Sequence, residues 1–99
     1  MENKTPLKRY YDADMKVLLC ATVSEKRHKF GNVYILLKDV FINARTQIDH
    51  LWVKQESRME KLPMKIGSKI RSRVTVGVYP SVTNEIKYNV SAFRYIVNV

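Results

Sequence analysis

The segment Gly67-Ser-Lys-Ile-Arg-Ser-Arg-Val-Thr-Val-Gly-Val-Tyr79 alternates apolar and polar side chains. Successive side chains of a β-strand point to opposite faces of the sheet, so this alternation predicts a strand with one buried and one solvent-facing surface. Arg71 and Arg73 fall on the solvent-facing surface. Guanidinium groups match the geometry of carboxylates and phosphates, and the two arginines therefore indicate an anionic partner.

Four other segments, on either side of this one, also have the composition of strands. They cover residues 15–24, 33–42, 48–54 and about 85–97. Between the first two, the charged residues 25–30 predict a loop that meets a turn at Gly31-Asn32. Residues 55–62 are the only stretch with helix-forming composition, which ends at Pro63.

This order of elements predicts an all-β fold, a five-stranded OB-fold (oligonucleotide/oligosaccharide-binding) Greek-key barrel with one short helical connector between strands 3 and 4. The alternative is an SH3-like barrel, which more often places its short helical turn before the last strand. Residues 1–14 are polar and show neither helical nor strand periodicity, so we expect an N-terminal arm of weak intrinsic order. Residues 15–99 then form a single OB-fold domain.

The chain is strongly basic. Its 99 residues carry 18 Lys and Arg against nine Asp and Glu, a net charge of +9. A positive field of this size favours nucleic acid as the partner. A basic surface without a special partner remains the alternative, and an anionic membrane is a weaker candidate because no segment has the pattern of a basic amphipathic helix.

Cysteine usage and hydropathy indicate a cytoplasmic protein. Cys20 is the only cysteine, so no intramolecular disulfide can form and the reducing cytosol is the expected compartment. No apolar run is long enough for a membrane span, and the N-terminus lacks the apolar core of a signal peptide.

Residues suited to catalysis are few. His28, His50 and Cys20 are too widely separated for a zinc-ligand spacing, so neither a metal nor a cofactor is expected. Asp49 and His50 suggest a base with an orienting carboxylate, but adjacent residues of a regular strand point to opposite faces. We therefore expect a protein that is not an enzyme, and keep a hydrolase built on these two residues only as a remote alternative.

Cations interleaved with aromatic rings are the strongest functional signal. A groove for single-stranded nucleic acid needs cations along the backbone and flat side chains on which bases stack. In OB folds the face of strands 2 and 3, with the adjoining loops, is the usual ligand surface. The predicted nucleic-acid-binding residues are Lys26, Arg27, Lys29, Phe30, Tyr34, Lys38, His50, Trp52, Lys54, Arg71, Arg73 and Tyr79.

Each of these residues also has a structural alternative. Trp52 suits a plug at the barrel end, and Tyr34 suits a half-buried cover of the core. The basic run from Lys26 to Lys29 suits a solvated hairpin tip. Arg71 and Arg73 would be structural if they paired with Glu56 or Glu60 on the helical connector.

Three segments together resemble a known group of proteins. They are Gly31-Asn-Val-Tyr-Ile-Leu-Leu-Lys-Asp-Val40, Ile48-Asp-His-Leu-Trp-Val-Lys54 and the segment from Gly67 to Tyr79. Over about residues 15–97 the chain is similar to small OB-fold proteins carried by phages and mobile genetic elements of Gram-positive bacteria. The resemblance implies single-stranded DNA binding, or service as an accessory subunit of a replication enzyme. Arg71 and Arg73 stand where such strands often carry neutral or acidic residues, which favours a nucleic-acid role.

Two functions follow from these observations. The first is binding of single-stranded nucleic acid, DNA more than RNA, with little sequence preference, in replication or recombination of a phage or mobile element. The second is a non-catalytic adaptor that docks on a replication protein such as a polymerase or helicase, because Tyr, Trp, Arg and Met are also enriched at protein interfaces.

Overall fold

The computed structural model describes residues 7–12, 16–60, 65–80 and 86–99. For residues 58, 60, 79, 80, 86 and 87 it describes the backbone only. The sequence also predicts a turn over residues 80–84, Pro-Ser-Val-Thr-Asn, and this segment lies mostly outside the described ranges. The elements are α1 (Lys8–Asp12), β1 (Lys16–Lys29), β2 (Asn32–Ile42), β3 (Thr46–Lys54), α2 (Ser57–Glu60), β4 (Lys69–Pro80) and β5 (Ile86–Asn98). The prediction of five strands with a short helix between the third and fourth is confirmed.

The five strands form one antiparallel sheet in the order β3-β2-β1-β4-β5. One face of the sheet, here called the inner face, carries the apolar core; the opposite face is called the outer face. The core includes Ile35 and Leu37 from β2 and Leu51 and Val53 from β3, all essentially buried. In β3 these side chains alternate with exposed or half-buried ones, as the period-two pattern predicts, whereas in β2 Leu36, between Ile35 and Leu37, is also buried.

The sheet is not closed, because no ladder of backbone hydrogen bonds joins β3 to β5 in the described part of the chain. Side chains connect these two edge strands instead. The Asn89 amide donates to the Trp52 carbonyl at 2.8 Å. The Glu56 carboxylate accepts from the backbone N–H groups of Ala92 at 2.7 Å and Phe93 at 3.0 Å.

β5 contains two bulges, which make its pairing with β4 irregular. The register of β5 against β4 shifts twice, between the partners of Arg71 and Arg73 and again between those of Arg73 and Thr75. Ala92 and Tyr95 adopt positive φ values of 54° and 55° in these regions. An extra residue in one strand disrupts the ladder and bends the strand. The N–H of Ala92, at one such position, is satisfied by Glu56.

Residues 7–12 lie within the segment for which the sequence predicts a weakly ordered arm. Lys8–Asp12 form the short helix α1. Leu7, which precedes the helix, is fully buried in the core. Tyr10 is also buried, and its hydroxyl is 2.8 Å from that of Thr46. Lys8 donates to Asp12 at 2.8 Å, and this hydrogen bond raises the pKa of the Lys8 ammonium. The burial of Leu7 and Tyr10 thus attaches residues 7–12 to the core, although the sequence of this segment shows no helical periodicity.

The charged segment 25–30, for which the sequence predicts a loop, is largely strand. β1 pairs with β2 as far as Lys29 opposite Asn32, so the hairpin turns at Phe30-Gly31, one residue earlier than expected. Both turn residues have positive φ, 52° and 78°. Two-residue turns of this handedness match the twist of the strands and allow pairing to continue to the tip.

Candidate nucleic-acid interface

A bulge in β1 decides which charged side chains reach the outer face. The register against β2 shifts between Val23 and Glu25. Before the shift Val23 lies on the inner face; after it Glu25, Arg27 and Lys29 lie on the outer face, because their partners there are the outward residues of β2. Two of the predicted site residues, Arg27 and Lys29, therefore join the outer surface.

Five predicted site residues line one pocket of about 390 Å³ on the outer face. They are Arg27, Lys29, Phe30, Tyr34 and Trp52. Lys54 lies beside them, because Tyr34 is directly opposite Arg27 on one side and Lys54 on the other. These six residues are called the platform below. It combines three aromatic rings with three cations, on strands held by continuous pairing.

Trp52 belongs to the outer face rather than to the core. It is half-buried, lies opposite Leu36 on β2, and is not a member of the core cluster. The guanidinium carbon of Arg27 lies 5.1 Å from the centre of its ring, a cation–π contact. A nucleobase that stacks on this face of the indole has to displace the guanidinium. The displaced guanidinium is then free to contact a phosphate.

Glu25 is the acidic neighbour of this contact. Its carboxylate lies 3.7 Å from the Arg27 guanidinium, and both side chains are substantially exposed. An exposed pair of this kind contributes little to stability. It does lower the positive potential at the platform, although no pattern in the sequence indicates that Glu25 belongs to the site.

Phe30 occupies an unusual position at the hairpin tip. Its side chain is 89% exposed, and the Lys29 ammonium lies 5.7 Å from the ring centre. Its φ of 52° is in the left-handed region, which costs an L-residue roughly 1–2 kcal/mol. Lys26, another predicted site residue, is exposed but lies opposite Ile35 and hence on the inner-face side of the hairpin. It is therefore not part of the platform.

Lys38 and His50 lie further along the outer face. They are directly opposite each other, and Lys38 is also opposite Thr22, whose other neighbour is Lys69. Lys69 thus extends this polar row, although the sequence analysis did not single it out. His50 Nδ1 is 2.9 Å from the Asp49 carboxylate, so the expectation that these adjacent side chains do not pair is wrong. The inward positions Ile48 and Leu51 are three apart, which shows that the strand is not regularly alternating here.

Arg71 and Arg73 are exposed on β4, but they lie far from the platform. Arg71 is opposite Cys20, and Arg73 is opposite Leu18 on one side and Arg94 on the other. From the spacings of residues and strands, Arg71 lies roughly 20 Å from Trp52 along the sheet. The structure thus divides the predicted groove into the platform and a second group, Arg71, Arg73 and Arg94, called the arginine cluster below.

No described carboxylate forms an ion pair with the arginine cluster. Glu56, one of the two partners considered from the sequence, is bound to the β5 backbone instead. The side chain of Glu60, the other, lies outside the described residues, as does that of Tyr79, the remaining predicted site residue on β4. Three exposed apolar side chains lie on the same rows of the outer face, Leu18, Phe41 and Val97.

Among the described residues, no group of three or more His, Cys, Asp and Glu side chains is arranged to hold a metal ion. None of the described helices is both long and apolar enough to cross a membrane. Comparison of the chain with protein-family models, with curated proteins and with solved structures finds no match.

Proposed function

We propose that this chain binds single-stranded nucleic acid, DNA in preference to RNA, with little sequence specificity and without catalysis. The platform is the observation that carries the proposal. It brings Trp52, Tyr34 and Phe30 together with Arg27 and Lys29 around one pocket, with Lys54 beside it. Aromatic faces accept any base and cations accept any phosphate, so this chemistry gives affinity without a sequence code.

The arrangement of strands supports an OB-type fold for this function. The order β3-β2-β1-β4-β5 is that of a five-stranded OB barrel opened between β3 and β5. The helix α2 between β3 and β4, and the side-chain contacts across the gap, suit the same fold. In OB folds ligands bind on strands 2 and 3 and the first connecting hairpin, which here carry the platform. The resemblance to proteins of phages and mobile elements extends the proposal to a role in their replication or recombination.

A single strand would bind through two kinds of contact. A base stacks on Trp52 or Tyr34, which is worth about 1–3 kcal/mol per base. The adjacent phosphates meet Arg27, Lys29 and Lys54. Lys38, His50 and Lys69 continue a polar row toward the arginine cluster, which offers further phosphate contacts to a longer strand.

The test compares Lys54→Gln with Lys16→Gln. Both replace an exposed strand lysine and change the net charge equally, but Lys16 lies at the opposite end of β1 from the hairpin. Fluorescence anisotropy with a labelled oligothymidylate, in a salt series, measures the affinity. We expect Lys54→Gln to weaken binding and to reduce the slope of log K against log salt by about 0.7, the value for one phosphate contact on a single strand. Lys16→Gln leaves both unchanged; equal effects of the two substitutions would contradict the platform.

The arginine cluster favours a second candidate function, an adaptor that docks on an acidic surface of a replication protein. Arg73 and Arg94 are directly opposite each other, an arrangement that destabilises a sheet unless an anion lies between them. The exposed Leu18 and Val97 beside them suit a protein partner better than bases, because aliphatic side chains do not stack. Purification from the native host with nuclease present tests this candidate: a stoichiometric partner lost on Arg94→Gln supports it, and the absence of one removes it.

A further inference from the structure

The β1–β2 hairpin extends beyond the core and ends in an aromatic ring. Every residue from Glu25 to Gly31 is exposed, yet the strands remain paired to Lys29 and Asn32. At 89% exposure, Phe30 is the most exposed of the large apolar side chains in the described part of the chain. No packing contact with the core residues that the structure describes accounts for an aromatic residue here.

The turn itself also disfavours phenylalanine. Phe30 and Gly31 have φ values of 52° and 78°, and two-residue turns with positive φ at both positions prefer Asn-Gly, Asp-Gly or Gly-Gly. A bulky residue in this conformation is a backbone outlier, and outliers of this kind cluster at functional sites. The ring at the tip is therefore better explained by a ligand than by the fold.

Cations flank the ring on both faces of the hairpin. Arg27 and Lys29 project on the outer face, where they are part of the platform. Lys26 and His28 lie opposite Ile35 and Val33, so they project on the other face, away from Trp52. A single strand on the platform uses only the outer cations. Cations on both sides of a flat ring match the end of a duplex, where a terminal base pair presents its face between two phosphate backbones.

We propose that the hairpin tip recognises the junction between single-stranded and double-stranded DNA. Phe30 stacks on the terminal base pair, one strand continues over the platform toward Trp52, and Lys26 and His28 contact the phosphates of the other strand. This inference rests on the proposed function, because it takes the platform as the path of the single strand. It adds a preferred substrate, a junction, to a site that would otherwise bind any single strand.

The experiment uses three probes with the wild-type chain and three variants. The probes are an oligothymidylate, a blunt duplex, and a duplex that carries the same oligothymidylate as a single-stranded arm. Phe30→Asn removes the ring but suits the turn, so loss of folding cannot explain its effect. Lys26→Gln removes a cation from the inner-face side of the hairpin, and Lys54→Gln removes one from the platform.

We expect the wild-type chain to bind the junction about tenfold more tightly than the oligothymidylate, a factor within the range that one stacking contact supplies. Phe30→Asn weakens junction binding about tenfold more than it weakens binding of the oligothymidylate, and so abolishes this preference. Lys26→Gln weakens junction binding alone, whereas Lys54→Gln weakens binding of both probes.

Other results separate the two proposals. If Phe30→Asn weakens binding of both probes equally, the ring is only a wall of the single-strand pocket and junction recognition is wrong. If the wild-type chain binds both probes equally, the inference fails and the proposed function stands. If the wild-type chain prefers the junction through Phe30 but does not bind the oligothymidylate, the proposed function fails instead. Binding to none of the three probes overturns both.

Discussion

Removal of the Glu25 carboxylate should strengthen DNA binding. The Glu25 carboxylate lies 3.7 Å from the guanidinium of Arg27, a platform residue. In the free protein this carboxylate competes with a phosphate for Arg27, and in the complex it repels that phosphate. A gain of affinity is an informative result, because neither misfolding nor a loss of active protein produces it.

The geometry sets the size of the effect. The side chains of Arg27 and Glu25 are 66% and 47% exposed, so the dielectric constant around them is close to that of water. At 3.7 Å their attraction is then about 1 kcal/mol before screening. A phosphate bound to Arg27 would lie about 7 Å from Glu25, with a repulsion of about 0.6 kcal/mol. Since exposed pairs are measured at about 0.2–1 kcal/mol, we expect Glu25→Gln to tighten binding by about 0.5–1 kcal/mol, or roughly two- to fivefold.

Asp12→Asn is the matched control. It raises the net charge by the same amount, but Asp12 lies on α1, where it pairs with Lys8 in an exposed contact. Anisotropy titrations of both variants with the same oligothymidylate, at several salt concentrations, give the comparison. The advantage of Glu25→Gln should shrink as salt rises, because the Debye length falls from about 10 Å at 0.1 M to about 3 Å at 1 M.

Two results would refute this reasoning. If Glu25→Gln binds no more tightly than the wild-type chain, Arg27 does not contact phosphate. If Asp12→Asn gains as much affinity as Glu25→Gln, the effect comes from overall charge and the platform has no special role.

Two further predictions concern stability and are measured by urea unfolding. Glu56→Ala removes the acceptor of two backbone N–H groups, those of Ala92 and Phe93, and should lower the free energy of unfolding by about 2–4 kcal/mol; Glu56→Gln, which keeps an acceptor oxygen, should cost less. Leu7→Ala should cost about 2–4 kcal/mol because Leu7 is fully buried, whereas Lys8→Ala, which breaks only an exposed pair, should cost much less. A negligible cost for Leu7→Ala would show that α1 is not attached to the domain.

The regular parts of the sheet could be predicted because one face is apolar. In β2 the charge at Lys38 indicates which residues face outward, and Tyr34 and Trp52 lie on that face as expected. Period-two patterning works here because a shift of one residue would move the whole apolar set into water.

The same method fails where the hairpin leaves the core. Residues 25–29 contact no core on either face, so their sequence has no apolar alternation and predicts a loop. Their strand structure comes from pairing with β2, which no local pattern reveals. The bulges at Ala92 and Tyr95 are hidden for a related reason, since neither residue type normally signals a positive φ.

Charge patterns predicted the types of site residue better than their grouping. Arg71 and Arg73 lie on the outer face as expected, but three strand spacings and several residues along β1 separate them from Trp52. Arg94 was missed because it lies in an irregular part of β5, where alternation cannot assign its face. Glu56 looked like a partner for the arginines, yet its chain position next to α2 brings it to the β5 bulge.

Trp52 belongs both to the platform and to the contacts that connect β3 with β5. Its side chain lies on the platform, while its carbonyl accepts the Asn89 amide across the gap between β3 and β5. The same Asn89 side chain accepts the N–H of Val90, so its orientation is fixed at both ends. β3 is therefore held by a full ladder with β2 on one edge, and by Asn89 and Glu56 on the other. A stacking surface is most effective on a strand whose position is set before the ligand arrives, since less ordering accompanies binding. The side-chain contacts across the gap thus supply the rigidity that backbone pairing of β3 with β5 would otherwise provide.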